Sequence, residues 1–470
     1  MRPQGNVAQT PAKGVILHSM LALLLLACPD PTPEPPGTAD TADTTTPLQT
    51  GDIRWSVNET IGSIIEVTWV QSQNAITWIE FGFDDEWRES PRKKRSPGTS
   101  SELLLGVPYG SEVTFRIITQ LDSRTWTSDD FTAENDPLPG DVGQPTVLIL
   151  DEDAIDPDHP YVYGGITPYG NSFYDDWWTV IYDRKGRVVW AVEAPRGFAA
   201  MHPRVSYHGD AFLLDRNGFW GSLSTGVEGY IERMTIDGTS EVLDLPYLRH
   251  AYTDLPDGSI VWGAINDGTN ETLAKRDPDG TISELWYCRD YMNEHDLGGG
   301  CASNTVTWVE ETDSFLYSVF TTEIIIEVDH QTGEVIRHFG HVGSDYTFSP
   351  VDSVFWYQHN PHFTDTGTLL LSTETSQNEH ETIVREYTID EENKTLTEVW
   401  NFAIGDGLWS HNMGEAHRLP NGNTQHNYGE TARLREATPD GTVVWDIDWG
   451  SPRVIGRTTP IGDLYDFAPQ

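Results

Sequence analysis

The sequence predicts an all-β protein in which a small β-sandwich precedes a six-bladed β-propeller. Three observations support this fold class. Aromatic residues make up 11% of the 470 residues, with 17 Trp, and aromatic side chains favour strands. Apolar positions rarely recur at helical spacing. A short unit, a polar or Gly-containing turn followed by an apolar strand, recurs along the second part of the chain.

The recurring unit has a spacing of roughly fifty residues, which is typical of four-stranded propeller blades. The six copies are Asp183–Trp190, Ile236–Leu243, Asp277–Trp286, Asp329–Ile336, Asp390–Trp400 and Pro439–Trp445. We therefore expect residues 140–470 to form the propeller, a closed fold that hides its sheet edges. The alternative is an array of two-sheet sandwiches, but the regular period and the count of six favour the propeller.

Residues 52–139 show short alternating stretches of apolar and polar residues, separated by turn residues. Examples are Ile64–Val70, Thr77–Phe83 and Glu112–Ile118. This pattern predicts an antiparallel sandwich. The segment Val113–Thr132 resembles the end of a fibronectin type III module. The basic run Arg92–Arg95 is interpreted as a solvated turn, and we expect no chemistry in this domain.

Residues 1–27 predict an export signal of the lipoprotein type. Arg2 and Lys13 precede an apolar run that is too short for a membrane span with such flanks. Its end, Leu25–Cys28, resembles the bacterial lipobox, in which the Cys is lipidated; the alternative is an ordinary signal peptide with an incidental Cys28. Residues 28–51 are rich in Pro, Thr and Asp and predict a disordered tether. We expect a bacterial cell-envelope protein that meets the membrane only through its lipid anchor.

Composition excludes some partners. The net charge is −44, from 73 acidic against 29 basic residues, and such a chain lacks the basic surface that nucleic acid requires. Two further cysteines, Cys288 and Cys301, flank a Gly-rich loop, and a disulfide between them is expected in an exported protein. A metal site there is less favoured, because His295 and Asp296 lack a second pair of ligands at suitable spacing.

Histidines recur at matching positions ahead of turns. His250 and His359 lie eight residues before their turn glycines, and His362 and His417 lie five before theirs. His202 belongs to a looser fourth copy. In a propeller, equivalent ends of the innermost strands converge on a central channel. Neutral imidazoles gathered there suit proton transfer and nucleophilic attack, and a metal site is the second choice.

Several short motifs follow one another in the second half of the chain. They are His250–Gly258, Ser303–Asn304, Gln358–His359, Arg385–Asp390, Gly414–Asn423 and Arg457–Tyr465. Together they resemble the bacterial arylsulfate sulfotransferase family, which works without a nucleotide sulfate donor. The resemblance implies a β-sandwich followed by a six-bladed propeller. It also implies transfer of a sulfuryl group from a phenolic sulfate to a histidine and then to an acceptor phenol, with no diffusible cofactor.

The resemblance assigns roles to particular residues. His250 and His359 would assist, Arg385 would bind the sulfuryl oxygens bidentately, and the nucleophile would be His417 or His411. His295 would be a further candidate for the funnel. The chain departs from the family near Thr373–Glu374, which bears on how Arg385 is oriented.

The rival interpretation is a non-catalytic propeller lipoprotein that binds a ligand or an envelope protein through the same funnel. A quinone-dependent dehydrogenase is a weaker third possibility. The feature that separates the first two is whether His250, His359, Arg385 and a histidine near the C-terminus approach one point. An Arg385 that points away would count for the binding protein.

Overall fold

The structure is a computed structural model that describes residues 50–167, 177–220, 228–265, 271–376 and 380–469, with the side chain of His250 excepted. In these ranges the chain forms 35 strands, one α-helix and three short 3-10 turns. The all-β expectation is confirmed. Within the same ranges no helix is long and apolar enough to cross a bilayer.

The first nine strands form two antiparallel sheets. They are β1 (Thr50–Val57), β2 (Ile65–Gln71), β3 (Ala75–Phe83), β4 (Glu86–Glu89), β5 (Lys93–Arg95), β6 (Gly98–Leu104), β7 (Glu112–Leu121), β8 (Arg124–Thr127) and β9 (Phe131–Glu134). One sheet is β1-β2-β6, and the others join a second sheet around β3 and β7. Alternate residues such as Val67, Trp69, Phe81 and Phe115 form the core between them.

The basic run is not the turn that its composition suggested. Lys93–Arg95 forms β5 and pairs with β3. Lys93 and Arg95 both contact the carboxylate of Glu102, which is 5% exposed. Two of the four basic residues of the run thus pair with one buried acid.

The remaining strands form six sheets of four or five strands. They are β10 (Thr146–Leu150), β11 (Tyr161–Thr167), β12 (Trp178–Asp183), β13 (Val188–Glu193), β14 (Arg204–Val205), β15 (Phe212–Asn217), β16 (Gly229–Met234), β17 (Ser240–Asp244), β18 (Leu248–Asp254), β19 (Ile260–Ile265), β20 (Glu271–Arg276), β21 (Ile282–Tyr287), β22 (Ser303–Val309), β23 (Ser314–Val319), β24 (Ile324–Asp329), β25 (Val335–Gly340), β26 (Thr347–Ser349), β27 (Trp356–Phe363), β28 (Leu369–Glu374), β29 (Thr382–Asp390), β30 (Thr395–Phe402), β31 (Glu415–Arg418), β32 (Thr424–Asn427), β33 (Arg433–Ala437), β34 (Val443–Asp448) and β35 (Val454–Ile461). The helix α1 (Cys288–Glu294) lies between β21 and β22.

The six sequence repeats coincide with one structural element. Each repeat is the hairpin that joins the third and fourth strands of a sheet, as in β12–β13, β16–β17 and β33–β34. The turn glycines in these hairpins, such as Gly238 and Gly441, have positive φ, which favours glycine. The Trp that ends two repeats is fully buried: Trp190 Nε1 donates to the carbonyl of Ile236 (2.9 Å), and Trp445 Nε1 to that of Arg184 (2.8 Å).

Strands from the beginning and the end of this region pair with one another in two of the sheets. The last strand, β35, pairs with β11, and the early strand β10 pairs with β34 of the last sheet. The first strands of the sheets also touch in sequence. β14 contacts β35, β18 contacts β22, β22 contacts β27, β27 contacts β31, and β31 contacts β35; β18 meets the sheet of β14 through its second strand, β15. These six first strands, β35, β14, β18, β22, β27 and β31, are called the inner strands below.

A disulfide joins Cys288, at the start of α1, to Cys301, just before β22, with a Cα–Cα distance of 5.9 Å. The predicted bridge is confirmed. Met292 of α1 and Leu297 of the following loop are buried beside it, so the bridge fastens an insertion that also packs on the core.

Removal of this bridge is expected to lower the thermal stability. A closed loop of this length restricts the unfolded chain, and its loss typically costs about 3 kcal/mol. Cys288→Ser/Cys301→Ser should therefore melt at a lower temperature than the unaltered protein by calorimetry. Reduction of the unaltered protein should reproduce the shift, and equal melting temperatures would contradict the expectation.

Candidate active site

A cavity of about 270 Å³ lies at one end of the inner strands. Its apolar walls are Met201, Trp220, Phe320, Tyr357 and Met413, and its polar groups are His202, Asn304, Thr321, His359, His411, Asn412 and Arg457. Aromatic walls with a few convergent polar groups are typical of a small-molecule site.

Two β-bulges in β27 decide where its histidines lie. Trp356, His359 and His362 pair with Glu374, Ser372 and Leu370, so each interval of three residues on β27 faces two on β28. In a regular strand, residues three apart face opposite sides. Each bulge adds one residue and restores the side, so His359 and His362 face the same way. Tyr357 and Asn360, the extra residues, have φ of 48° and 49°.

Other inner strands are irregular at the same level. β18 gains two residues between Leu248 and Tyr252, the interval that contains His250. β22 gains one between Ser303 and Thr305, at Asn304, and β35 gains one between Ile455 and Thr458, next to Arg457. Bulges next to active sites turn a side chain away from the regular alternation. The polar groups Asn304, His359 and Arg457 thus come from bulged positions.

His359 is held as a neutral imidazole with a defined tautomer. Its Nδ1 lies 2.8 Å from the carbonyl oxygen of Tyr357. Because a carbonyl only accepts, Nδ1 carries the hydrogen and Nε2 carries the lone pair. Burial, and then the positive charge of Arg457, lower the pKa of His359 to about 4. The ring therefore offers an unprotonated Nε2 at neutral pH, which suits nucleophilic attack.

The backbone beside His359 is closely packed. Gly414, at φ 138°, faces it: a Cβ added there would lie 3.8 Å from the His359 Cβ and 3.0 Å from the Ser372 hydroxyl. Met413, the preceding residue, has φ of 63°. Glycine at 414 therefore lets the chain before β31 approach the imidazole closely.

Arg457 supplies a buried positive charge to the cavity. Its side chain is 6% exposed. Nη2 donates to the carbonyl of Asn304 (2.7 Å) and the hydroxyl of Thr305 (2.6 Å), and Nη1 lies 3.4 Å from Glu415 Oε1. Gly456 allows this placement, because a Cβ there would lie 2.5 Å from the Met201 carbonyl. Burial lowers the pKa of Arg457, but a guanidinium starts from so high a value that it stays charged.

Two further histidines line the cavity. His202 is 4% exposed, and its backbone N–H donates to Asp215 Oδ1 (2.8 Å). Burial raises the pKa of Asp215 to about 6. His411 is exposed at the mouth, with its ring 5.8 Å from that of Trp409. The cavity thus has buried polar groups inside and a solvent-exposed imidazole at its entrance.

The structure places Arg385 apart from the residues that line the cavity. Arg385 lies on β29, where its guanidinium pairs with Glu398 of the adjacent strand β30 and reaches the carbonyl of Asp352. It is not among the residues that line the cavity. The carboxylate beside it holds the side chain within its own sheet, and Arg457 instead brings a guanidinium to the cavity.

His417 lies apart from the cavity. It is on β31, with Nε2 3.1 Å from Glu415 Oε1 and its ring centroid 6.2 Å from that of His362. His362 lines a different cavity, of about 280 Å³. Its Nδ1 lies 3.0 Å from the carbonyl of Asn360, and burial, then His417, lower its pKa to about 4. The two candidates for the nucleophile, His411 and His417, are therefore in different surroundings.

The remaining predicted residues are His295, His250 and Cys28. His295 follows α1, its ring centroid lies 4.2 Å from that of Tyr291 with the two rings tilted, and it lines a separate groove of about 780 Å³. The backbone of His250 belongs to β18, but its side chain lies outside the described part. Cys28 and the export signal also lie outside the described residues.

Sequence reasoning did not select Arg457 and His202 as site residues. Arg457 was noted only within a terminal motif, and His202 only as a loose repeat copy. A signal for Arg457 was present, because a glycine inside a strand pattern, here Gly456, often marks a bulge or a close backbone approach.

Residues 301–450 match the family model described as arylsulfotransferase (ASST). The resemblance inferred from the sequence is confirmed for this segment, which is arylsulfotransferase-like. The segment contains His359 and His411 and ends before Arg457. No curated protein sequence matches the chain significantly.

Two solved structures are distant likenesses of this chain. A protein of unknown function from Bacteroides caccae is 14% identical, with 65% of this chain and 100% of that chain covered and a TM-score of 0.43. An inactive virginiamycin B lyase from Staphylococcus aureus with quinupristin is 12% identical, with coverage of 64% and 87% and a TM-score of 0.38. At such scores the likeness says nothing about the fold or activity of this chain.

The lowered pKa of His359 predicts a loss of stability in mild acid. The folded state holds the ring neutral down to about pH 4, whereas the unfolded chain takes up the proton near 6.5. Stability is therefore complete above pH 6.5 and falls as the pH drops towards 4, by on the order of 2 kcal/mol at pH 5. In urea unfolding at pH 7 and pH 5, His359→Gln should lose less stability than the unaltered protein.

A replacement of the exposed His208 serves as the control, because it removes a histidine without touching the cavity. His208→Gln should lose as much stability between pH 7 and pH 5 as the unaltered protein. An equal loss in His359→Gln would contradict the neutral imidazole.

Proposed function

We propose that this protein transfers a sulfuryl group from a phenolic sulfate ester to an acceptor phenol through a sulfated histidine. One observation carries the proposal. An arylsulfotransferase-like segment contributes His359, a neutral imidazole with an unprotonated Nε2, to an aromatic-walled cavity that also holds the buried Arg457. A nucleophile, a cation for the sulfuryl oxygens and an aryl-sized space are what this reaction requires.

The residue roles differ from those that the sequence suggested. His359 is proposed as the nucleophile because its tautomer leaves Nε2 unprotonated, whereas it was first expected to assist. Arg457 is proposed to bind the sulfuryl oxygens, the role first given to Arg385. His411, exposed at the mouth, is proposed to exchange protons with solvent and substrate. His250 remains a proposed assisting group.

The proposed reaction balances in two half-reactions. In the first, the Nε2 lone pair of His359 forms a bond to sulfur, the sulfur–oxygen bond to the aryl group breaks, and the phenolate oxygen takes a proton from His411. In the second, His411 takes the proton from an acceptor phenol, whose oxygen attacks sulfur and expels Nε2. The low basicity of this imidazole makes it a good leaving group in the second step.

We further propose that the six sheets form a closed six-bladed propeller with the cavity at one mouth of its axis. Support comes from the contacts between successive inner strands and from the sharing of strands between the first and last sheets. This arrangement would explain why His359, Arg457 and Asn304, from three sheets, meet at one cavity.

The rival proposal is a binding protein that uses the same cavity without turnover. The position of Arg385 favours it by the criterion set from the sequence, because the expected sulfate anchor is absent. The position of Arg457 favours the enzyme, because it restores a buried guanidinium to a histidine-lined cavity. The two proposals differ in whether a covalent intermediate forms.

Replacement of His359 should abolish transfer. With 4-methylumbelliferyl sulfate and phenol, the unaltered protein should release the fluorescent phenol in a phenol-dependent manner. His359→Gln should lose about 1000-fold or more of kcat, because it lacks the nucleophile. Arg457→Met should lose about 100-fold or more, because transition-state charge is no longer stabilised. Peptide mass analysis after donor-only incubation should find the sulfuryl group on His359.

His362→Gln is the matched control, because His362 lies on the same strand in the same tautomer but lines the other cavity. It should keep turnover within about threefold. A sulfated His411 or His417 would overturn the assignment of the nucleophile but keep the transferase. Binding of aryl sulfates with neither turnover nor an adduct would favour the binding protein.

We also propose that the protein is exported and anchored through lipidated Cys28. The basic start, the apolar run and the lipobox-like Leu25–Cys28 support this. A bacterial host expressing the full chain should incorporate labelled palmitate into the protein, and Cys28→Ser should abolish both the label and membrane fractionation. Equal labelling of the Ser variant would contradict the anchor.

A further inference from the structure

Glu415 lies behind the cavity and contacts its guanidinium. It begins β31 and is 3% exposed, yet it is not one of the lining residues. Oε2 accepts from the backbone N–H of Thr458 (2.6 Å) and lies 3.4 Å from the Thr458 hydroxyl. Oε1 lies 3.4 Å from Arg457 Nη1 and 3.1 Å from His417 Nε2. One carboxylate thus joins β31 to the bulge of β35.

The guanidinium of Arg457 is held from two sides. On one side its Nη2 bonds to the carbonyl of Asn304 and the hydroxyl of Thr305, both on β22; on the other side is Glu415. Among the described residues, Glu415 is the acidic side chain that pairs with Arg457. A buried guanidinium without a partner charge is strongly unfavourable. Removal of Glu415 would therefore leave the Arg457 guanidinium bonded only to β22 and without a counter-charge, and we expect the side chain to shift.

His417 completes the arrangement from the side away from the cavity. Residues 415 and 417 lie two positions apart on β31, so their side chains face the same side of the strand. Nε2 of His417 lies 3.1 Å from Glu415 Oε1, within ion-pair distance of the carboxylate. Burial opposes the charge of Glu415, yet His417, Arg457 and the Thr458 N–H together lower its pKa to about 2. The carboxylate is therefore charged at neutral pH.

We infer that Glu415 is a positioning residue that aims the Arg457 guanidinium at the sulfuryl group, and that His417 acts on Arg457 only through Glu415. Neither residue touches the substrate. The inference rests on the proposed function and deepens it, because it gives His417 a supporting role in place of the nucleophilic one. It also predicts that the effects of Glu415 and Arg457 on catalysis are coupled.

A double-mutant cycle with 4-methylumbelliferyl sulfate tests the coupling. Glu415→Gln still offers an oxygen to the Thr458 N–H but leaves Arg457 without its counter-charge. It should lower kcat/KM by about 100-fold, the scale of a misplaced catalytic group. In the Arg457→Met background the same substitution should change kcat/KM by less than about threefold. Additive losses would mean that Glu415 only stabilises the fold, and would overturn the inference.

Binding of benzenesulfonate, measured by calorimetry, separates positioning from charge and does not depend on turnover. If Glu415 positions Arg457, Glu415→Gln should bind benzenesulfonate more weakly than the unaltered protein. Added to Arg457→Met, the same substitution should not weaken binding further. Tighter binding to Glu415→Gln would mean that Glu415 acts by repelling anions, and would overturn the inference. A coupled weakening in a protein that shows no turnover would uphold the role of Glu415 while the proposed transferase fails.

Glu415→Asp provides a second variant if Glu415→Gln does not fold. It keeps the negative charge but shortens the side chain by one methylene. Arg457 should therefore still have a counter-charge, but its guanidinium should be displaced. We expect a loss of about tenfold in kcat/KM that disappears in the Arg457→Met background. A loss that persists there would contradict positioning, and so would the absence of both turnover and benzenesulfonate binding in the unaltered protein.

Discussion

The candidate site depends on the pairing of β35 with β11. This pairing makes the last strand of the chain an edge strand of the sheet that contains β11, β12 and β13, where it contacts β14 and β31. Only from that position does Arg457 reach Asn304 on β22 and Glu415 on β31. The charge in the cavity is therefore assembled by a pairing between strands from opposite ends of this region. Local strand pairing alone places the histidine but not the guanidinium.

The inner strands supply the site by departing from regular geometry. A strand turns alternate residues to opposite sides, so a regular inner strand would present every second side chain to the same side. The bulges in β22, β27 and β35 break that alternation near Asn304, His359 and Arg457. The hydrogen bond from Nδ1 of His359 to Tyr357 uses the carbonyl of the bulge itself, so the irregular backbone also selects the tautomer. The bulge in β27 thus determines both the direction of the His359 imidazole and which of its nitrogens carries the hydrogen.

Sequence reasoning recovered the repeated elements and missed the long-range partners. The six hairpins were found because a turn glycine and an apolar strand are local signals, and the disulfide because the thiols are few. The surroundings of Arg385 could not be predicted, because its partner Glu398 lies on the next strand, across a hairpin, and composition does not show which carboxylate a buried arginine meets. Arg457 was missed because the bulge that turns it inward depends on β11, almost three hundred residues earlier by chain position. The spacing of His359 and His362 was visible, but only the register of β27 with β28 shows that they share a side.

The low basicity of His359 makes opposite demands on the two halves of the proposed reaction. A ring with a pKa of about 4 is a weaker nucleophile than an ordinary histidine but a better leaving group. The first half would therefore need help at the sulfuryl group, and Arg457 is the group positioned to stabilise the charge that develops there. Burial next to a cation lowers the basicity of the imidazole, and the same cation offsets the cost in the attack. The enzyme proposal thus requires His359 and Arg457 together, and it explains why the carboxylate that fixes Arg457 lies behind it and not in the cavity.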